Sequence, residues 1–197
     1  MKDLFMKKEL VKNDGYTFFE IKKIINELFS NKLIKDKLII AGGIAVYLNY
    51  GEISRRTHGD LDCVCNIKDI QLLKEFFINI NCYNHKYDSF IYECKDYGFI
   101  IYYKGLEIGI YPFKEEKNNI VQYSYDFYNK KIKKRYIKIQ SNKYINNRKF
   151  YNLMAVEVIL KSKIDAYRLK DKEDIKIICN KGFDNSLYKE INIKEII

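Results

Sequence analysis

The segment DKLIIAGGIAVYLNYG, Asp36 to Gly51, dictates a local architecture by itself. Leu38, Ile39 and Ile40 make an apolar run of buried-strand length, and the run ends in Gly42 and Gly43. The residues that follow supply two helical turns, which Gly51 closes. The unit is therefore strand, glycine turn, helix. A basic turn, EISRRTHG, leads from it into DLDCVCNI, where polar and apolar residues alternate in the strand period. With side chains repeating every two residues, Asp60, Asp62 and Val64 share one face, while Leu61, Cys63 and Cys65 share the other.

On either side of this unit the chain mixes both periodicities. TFFEIKKIINELFSNKL opens with a capping box, Thr17 three residues before Glu20, and carries Ile21, Ile24, Ile25 and Leu28 at helical spacing. NIKDIQLLKEFFINI predicts a helix capped by Asn66, with Ile70, Leu73 and Phe77 inward. SFIYECK, YGFIIYYKG, LEIGIYPF and KRYIKIQ read as strands, with a hairpin turn at YKG or KGL. RKFYNLMAVEVILKSKIDAYRL predicts a long amphipathic helix, with Leu153, Val156, Leu160, Ile164 and Tyr167 along one stripe. DKEDIKIICNKG predicts another, with an acidic first turn and Gly182 at its close. Such an order is not the repeating βαβ of a doubly wound sheet; it implies an α+β fold with a mixed sheet. The expected division is a core over residues 1–140 and a C-terminal helical region over 141–197 that completes the cleft. The long helix could serve its own sheet or that of a partner, so a homodimer is one expectation.

Composition narrows the class. Across 197 residues, a hydrophobic content of 47% and an aromatic content of 15% are far too apolar for a disordered chain. No run approaches the roughly 18 apolar residues of a membrane span, and the N-terminus lacks a signal-peptide pattern, so a cytoplasmic protein with no membrane partner is expected. None of the five cysteines forms a C-x-x-C pair, which favours buried free thiols over a disulfide framework or a zinc site. A net charge of +10 would steer phosphate-bearing ligands inward, although the Lys, Ile, Asn and Tyr richness also fits an AT-rich coding bias. The Tyr- and Lys-rich middle could stack bases, but half-buried strands favour aromatics without any such role.

Two carboxylates two apart on a strand hold their Cα atoms roughly 6.6 Å apart on one face, close enough to share a divalent cation. The plain alternative is a solvated strand edge. Glycines between a strand and a helix let backbone N–H groups approach an anion at the positive helix end, or else serve only as a required bend.

Together, GGIAVYLNYGEISRRTHGDLD resembles the signature of the DNA polymerase beta-like nucleotidyltransferase superfamily, in which a glycine pair opens a helix and an acid-x-acid pair follows on the next strand. Its detail is similar to aminoglycoside and lincosamide nucleotidyltransferases and to abortive-infection type nucleotidyltransferase toxins. The resemblance implies transfer of a nucleoside monophosphate from an NTP to a hydroxyl, with two magnesium ions. On that basis Gly42 and Gly43 cradle the triphosphate, Asp60 and Asp62 hold metal, Arg55 or Arg56 reaches a phosphate, and His58 orients the turn by hydrogen bonding. These families also need a third carboxylate on a later strand. LEIGIYPF is similar to that stretch, but Gly109 stands where the acid is expected and Glu107 is the nearest carboxylate, so Glu107 is the expected third ligand. KSKIDAYRLKDKEDIKII resembles the families' C-terminal stretch. There Lys161, Asp165 and Arg168 fall at i, i+4 and i+7, with Lys161 expected at the triphosphate and Lys163 or Arg168 assisting. Asp171 and Asp174 read as a helix cap and a first-turn acid. The resemblance implies a small hydroxylated acceptor. The alternatives are a toxin-like enzyme acting on tRNA or protein, and a degenerate module that binds nucleotide or RNA without turnover.

Overall fold

A computed structural model describes residues 15–82, 98–126 and 131–196. Helix α1 (Phe18–Leu28) begins at the expected capping box: Thr17 Oγ1 accepts from the Glu20 N–H, and the Glu20 carboxylate accepts from the Thr17 N–H at 2.8 Å. A short α2 (Lys32–Lys37) leads into β1 (Leu38–Ile40), then α3 (Gly42–Tyr50), which Gly51 ends in the left-handed conformation. Strand β2 (Asp60–Asn66) follows the basic turn. After a 3-10 turn, α4 (Ile70–Asn79) buries Ile70, Leu73 and Phe77 as its spacing predicts. Asn66 caps the 3-10 turn instead of α4 itself.

Strands β3 (Phe99–Tyr103) and β4 (Leu106–Glu116) form the expected antiparallel hairpin, turning through Lys104 and Gly105 at φ of 52° and 80°. The strand expected at SFIYECK lies outside the described residues. Next come β5 (Asn119–Asp126), β6 (Lys131–Lys138), the single turn α5 (Ser141–Tyr144), β7 (Ile145–Asn147) and β8 (Asn152–Met154). The chain continues through α6 (Val156–Ala166), α7 (Asp171–Lys181), α8 (Asn185–Glu190) and β9 (Ile193–Ile196). Among the described residues the nine strands make one mixed sheet in the order β7-β8-β1-β2-β4-β5-β6-β9, with β3 on the flank of β4. Its centre is β2, antiparallel to β1 and parallel to β4, and Leu61, Cys63 and Cys65 are wholly buried there.

Three expectations are corrected. The long helix from Arg148 is in fact a strand and a shorter helix, because Asn152 and Leu153 pair in parallel with Ile39 and Ile40 at the open edge of β1. A short apolar run suits a buried strand as well as a helix, and here the sheet edge decides. Helix α6 then stops at Ala166, with Tyr167 left-handed at φ 45°, so Arg168 is not on the helix that carries Lys161. The C-terminal region is not helical alone, since it adds β7, β8 and β9 to the sheet of the core. Cys63 and Cys65 are buried thiols, whereas Cys179 is exposed. No described helix is long and apolar enough to cross a membrane.

Candidate active site

The strand period places Asp60 and Asp62 on one face of β2, beside the N-terminus of α3. Asp60 is exposed at the strand's first residue, while Asp62 is recessed. Burial pushes the Asp62 carboxyl up to about 6, and the neighbouring Asp60 charge adds to the effect. A carboxylate pair in that state fits a divalent cation, whose charge would relieve both costs.

The two ends of the unit meet. Gly42 has φ 62°, and a Cβ there would collide with Asp62 Oδ2. A Cβ at Gly43 would lie 2.6 Å from Arg56 Nη2 and 3.1 Å from Asp174 Oδ2. Both glycines are thus needed for the approach of charged side chains to the head of α3, before any ligand is considered. His58 supports this corner from behind. Its backbone exchanges two hydrogen bonds with Tyr16, its Nε2 lies 2.9 Å from Ser54 Oγ, and its ring meets Tyr47 edge-on. Burial, and then the Arg56 charge, lower its pKa to about 4, so it is neutral at pH 7.

Beneath the glycine turn lies an ion-pair network that sequence reasoning did not assemble. The ammonium of Lys163 is 2.7 Å from both Asp171 Oδ1 and Asp174 Oδ2. Asp174 also accepts from Arg56 Nη2 at 3.1 Å, and Asp171 from Arg168 Nε at 2.7 Å. Burial alone would raise the Asp171 carboxyl, but hydrogen bonds from Arg168 and Lys163 outweigh it and hold the group below the ordinary carboxylate range. Asp171 and Asp174 are first-turn acids of α7, as expected, but neither caps it; the cap position is Lys170. The buried Arg56 Nε has no hydrogen-bond partner among the described residues.

The third carboxylate is where sequence and structure part most clearly. Asp60 and Glu107 are register partners across β2 and β4, as are Asp62 and Gly109, so Glu107 does share the site face. Its Oε2, however, accepts from the Tyr102 hydroxyl at 2.7 Å, and no group of three His, Cys, Asp or Glu side chains able to hold a metal is present among the described residues. Gly109 is covered by Tyr111: a Cβ there would stand 2.8 Å from the phenol oxygen. Tyr111 therefore delivers a neutral hydroxyl to the place beside Asp62 where an acid is expected, and burial with the Asp62, Asp60 and Glu107 charges holds its proton on.

Two adjoining cavities flank the aspartates. The smaller, about 140 Å³, is lined by Gly42, Gly43, Arg56, Asp60, Asp62 and Arg168 among others, with His58, Lys163 and Lys170 also in its wall. The larger, about 380 Å³, shares Gly42, Asp62, Lys163 and Arg168 with it and extends towards β6 and β9. Lys170 stands within the C-terminal stretch singled out in the sequence, between Arg168 and Asp171, but was given no role there. Two expected residues are not brought in. Lys161 lies over the Tyr188 ring, 5.2 Å from its centroid, and Arg55 is exposed; neither lines either of these two cavities.

No protein-family model matches the chain. No curated protein matches it either. Among solved structures it is similar to the solution structure of the antibiotic-resistance factor ANT(2'')-Ia, with 12% identity and a TM-score of 0.50, over 81% of this chain and 84% of that one. At that identity the likeness is one of fold: an α+β molecule built on a mixed sheet, as the sequence implies.

Proposed function

We propose that this protein transfers a nucleoside monophosphate from an NTP to a hydroxyl of a small acceptor and releases pyrophosphate. One observation carries the reading: the Asp62 carboxylate packs on Gly42 at the head of α3, and Asp60 lines the same cavity. A triphosphate in the smaller cavity meets the helix N-terminus and the guanidinium of Arg168, whose side chain is 55% exposed, with Lys170 in the same wall. Lys163 acts at one remove, because its ammonium is engaged by Asp171 and Asp174. Its part is to fix α7 against the turn and so to hold Arg56 beside Gly43. Magnesium held by Asp60 and Asp62, with phosphate oxygens and water completing its shell, would supply charge neutralisation and polarise the reacting phosphate. The two carboxylates suit magnesium, which binds through one or two carboxylates plus substrate phosphates and needs no closed protein cage. The acceptor occupies the larger cavity, whose size suits a small molecule. An O–P bond forms from its hydroxyl to the α-phosphorus, the bond to pyrophosphate breaks, and its proton leaves to solvent.

Incubation with α-labelled NTPs, magnesium and candidate acceptors tests this. Label should move to an acceptor with the wild-type chain, and should not with Asp60→Ala or Asp62→Asn, provided that circular dichroism shows both folded. Undiminished transfer by either variant would reject the assignment. One observation favours a second reading, a module that holds NTP without turnover: Tyr111 covers Gly109 where an acid is expected. Magnesium-dependent NTP binding with no pyrophosphate release for any acceptor would establish it instead.

A further inference from the structure

Among the described residues that line the two cavities, two carry a hydroxyl, Tyr111 and Ser162. Ser162 is engaged elsewhere: its Oγ donates to the Val158 carbonyl at 2.8 Å and accepts from Arg135 Nη1 at 3.2 Å, on the α6 side of the larger cavity. Tyr111 stands at the carboxylate end. It follows Gly109 by two residues on β4, so both belong to one strand face, and the parallel register sets Gly109 opposite Asp62 and Tyr111 opposite Val64. The ring folds back over Gly109, where a Cβ would stand 2.8 Å from the phenol oxygen, 2.9 Å from Cε2 and 3.0 Å from Cζ. The absent side chain is what lets the phenol reach that place. The chain thus carries a hydroxyl of its own on the face of Asp60 and Asp62, in the cavity that Asp62 and Gly42 also line.

An acceptor for nucleotidyl transfer must bring a hydroxyl oxygen to this neighbourhood, and an oxygen already fixed there needs no encounter to arrive. Resting on the transferase reading of the same site, we propose that Tyr111 is itself an acceptor: with NTP bound and no other acceptor in the larger cavity, the protein nucleotidylates its own tyrosine. An O–P bond forms between Tyr111 Oη and the α-phosphorus, the bond from that phosphorus to the pyrophosphate oxygen breaks, and the phenol proton leaves to solvent. The product is a tyrosyl phosphodiester, and its nucleotide fills the space that an external acceptor needs. Modification therefore stops at one nucleotide per chain and closes the protein to further transfer.

The full chain is incubated with magnesium and each α-labelled NTP, without acceptor, and is followed by intact mass and by peptide mapping. Wild type should gain one nucleoside monophosphate, mapped to Tyr111. Tyr111→Phe removes the hydroxyl and keeps the ring, so it should bind a fluorescent NTP as wild type does and yet gain no mass. Gly109→Ala keeps the hydroxyl but displaces the ring, and should label about tenfold more slowly. A wild-type chain that gains no mass overturns self-transfer, and label passed to the aminoglycoside kanamycin in a parallel reaction then leaves the transferase reading standing. Label at Tyr111 with none passed to any added acceptor keeps self-transfer and removes the small acceptor from that reading. Label mapped to another residue, label retained in Tyr111→Phe, or undiminished labelling of Gly109→Ala overturns the proposal as well.

Discussion

Gly42 and Gly51 both sit at positive φ, 62° and 68°, yet their surroundings make different demands. A Cβ at Gly51 meets nothing within 4 Å, so Gly51→Ala should cost only the left-handed penalty, about 1–2 kcal/mol, and leave NTP binding intact. Gly42→Ala adds a collision with the Asp62 carboxylate and should lose NTP binding as well as stability. Urea midpoints beside nucleotide titrations separate the two. His58 gives a pH signature. Its folded pKa of about 4 lies below the ordinary 6.5, so between those values the unfolded chain binds a proton that the folded chain refuses. The stability that depends on a neutral His58 is complete above pH 6.5 and is lost as pH falls towards 4, by at most about 3 kcal/mol at roughly 1.4 kcal/mol per unit. Urea midpoints from pH 7.5 to 4.5, without metal, should fall faster for wild type than for His58→Gln; parallel curves would refute the claim. The placement of the glycine pair at the head of α3 and of the aspartates on one face of β2 was legible in the sequence, because each follows from spacing. That Tyr111 lies over Gly109 was not, since the direction of a ring across a strand depends on its neighbours in three dimensions.

Among the elements, α3, α6 and α7 are tied together by buried charge. Asp174, with no exposed side-chain surface, receives Lys163 from α6 and Arg56 from the turn. Asp174→Ala leaves both cations short of a partner and should cost about 3–5 kcal/mol, the usual range for a broken buried pair. Lys163→Met added to Asp174→Ala should recover part of that loss. A double-mutant cycle on urea unfolding measures the coupling, and strict additivity would show that the network contributes nothing. Sequence reasoning missed this network for an identifiable reason. Lys161 was expected from the resemblance of its stretch alone, whereas the contact of Lys163 with Asp171 and Asp174 joins two helices, which the spacing within either one does not reveal.

Over the whole molecule, the fold class was legible from mixed periodicity, but the strand order was not, because short apolar runs do not say which edge will take them. The pairing of β9 with β6 is the clearest instance: Ile193, Lys194, Glu195 and Ile196 are partners of Ile137, Tyr136, Arg135 and Lys134. Ending the chain at Ile191 should lower stability by about 1–3 kcal/mol, at a fraction of a kcal/mol to about one per cross-strand pair, and should loosen hydrogen exchange along β6. NTP binding in the smaller cavity, which no β9 residue lines, should persist. Protection of β6 amides unchanged by the truncation would count against this account. The same pairing has a consequence for biosynthesis. A nascent chain can bring its glycine turn and aspartates together long before Glu195 emerges from the ribosome, but Arg135 acquires its carboxylate partner only afterwards. The β9 side of the larger cavity is then a late acquisition, closed only after the glycine turn and the aspartates already face each other.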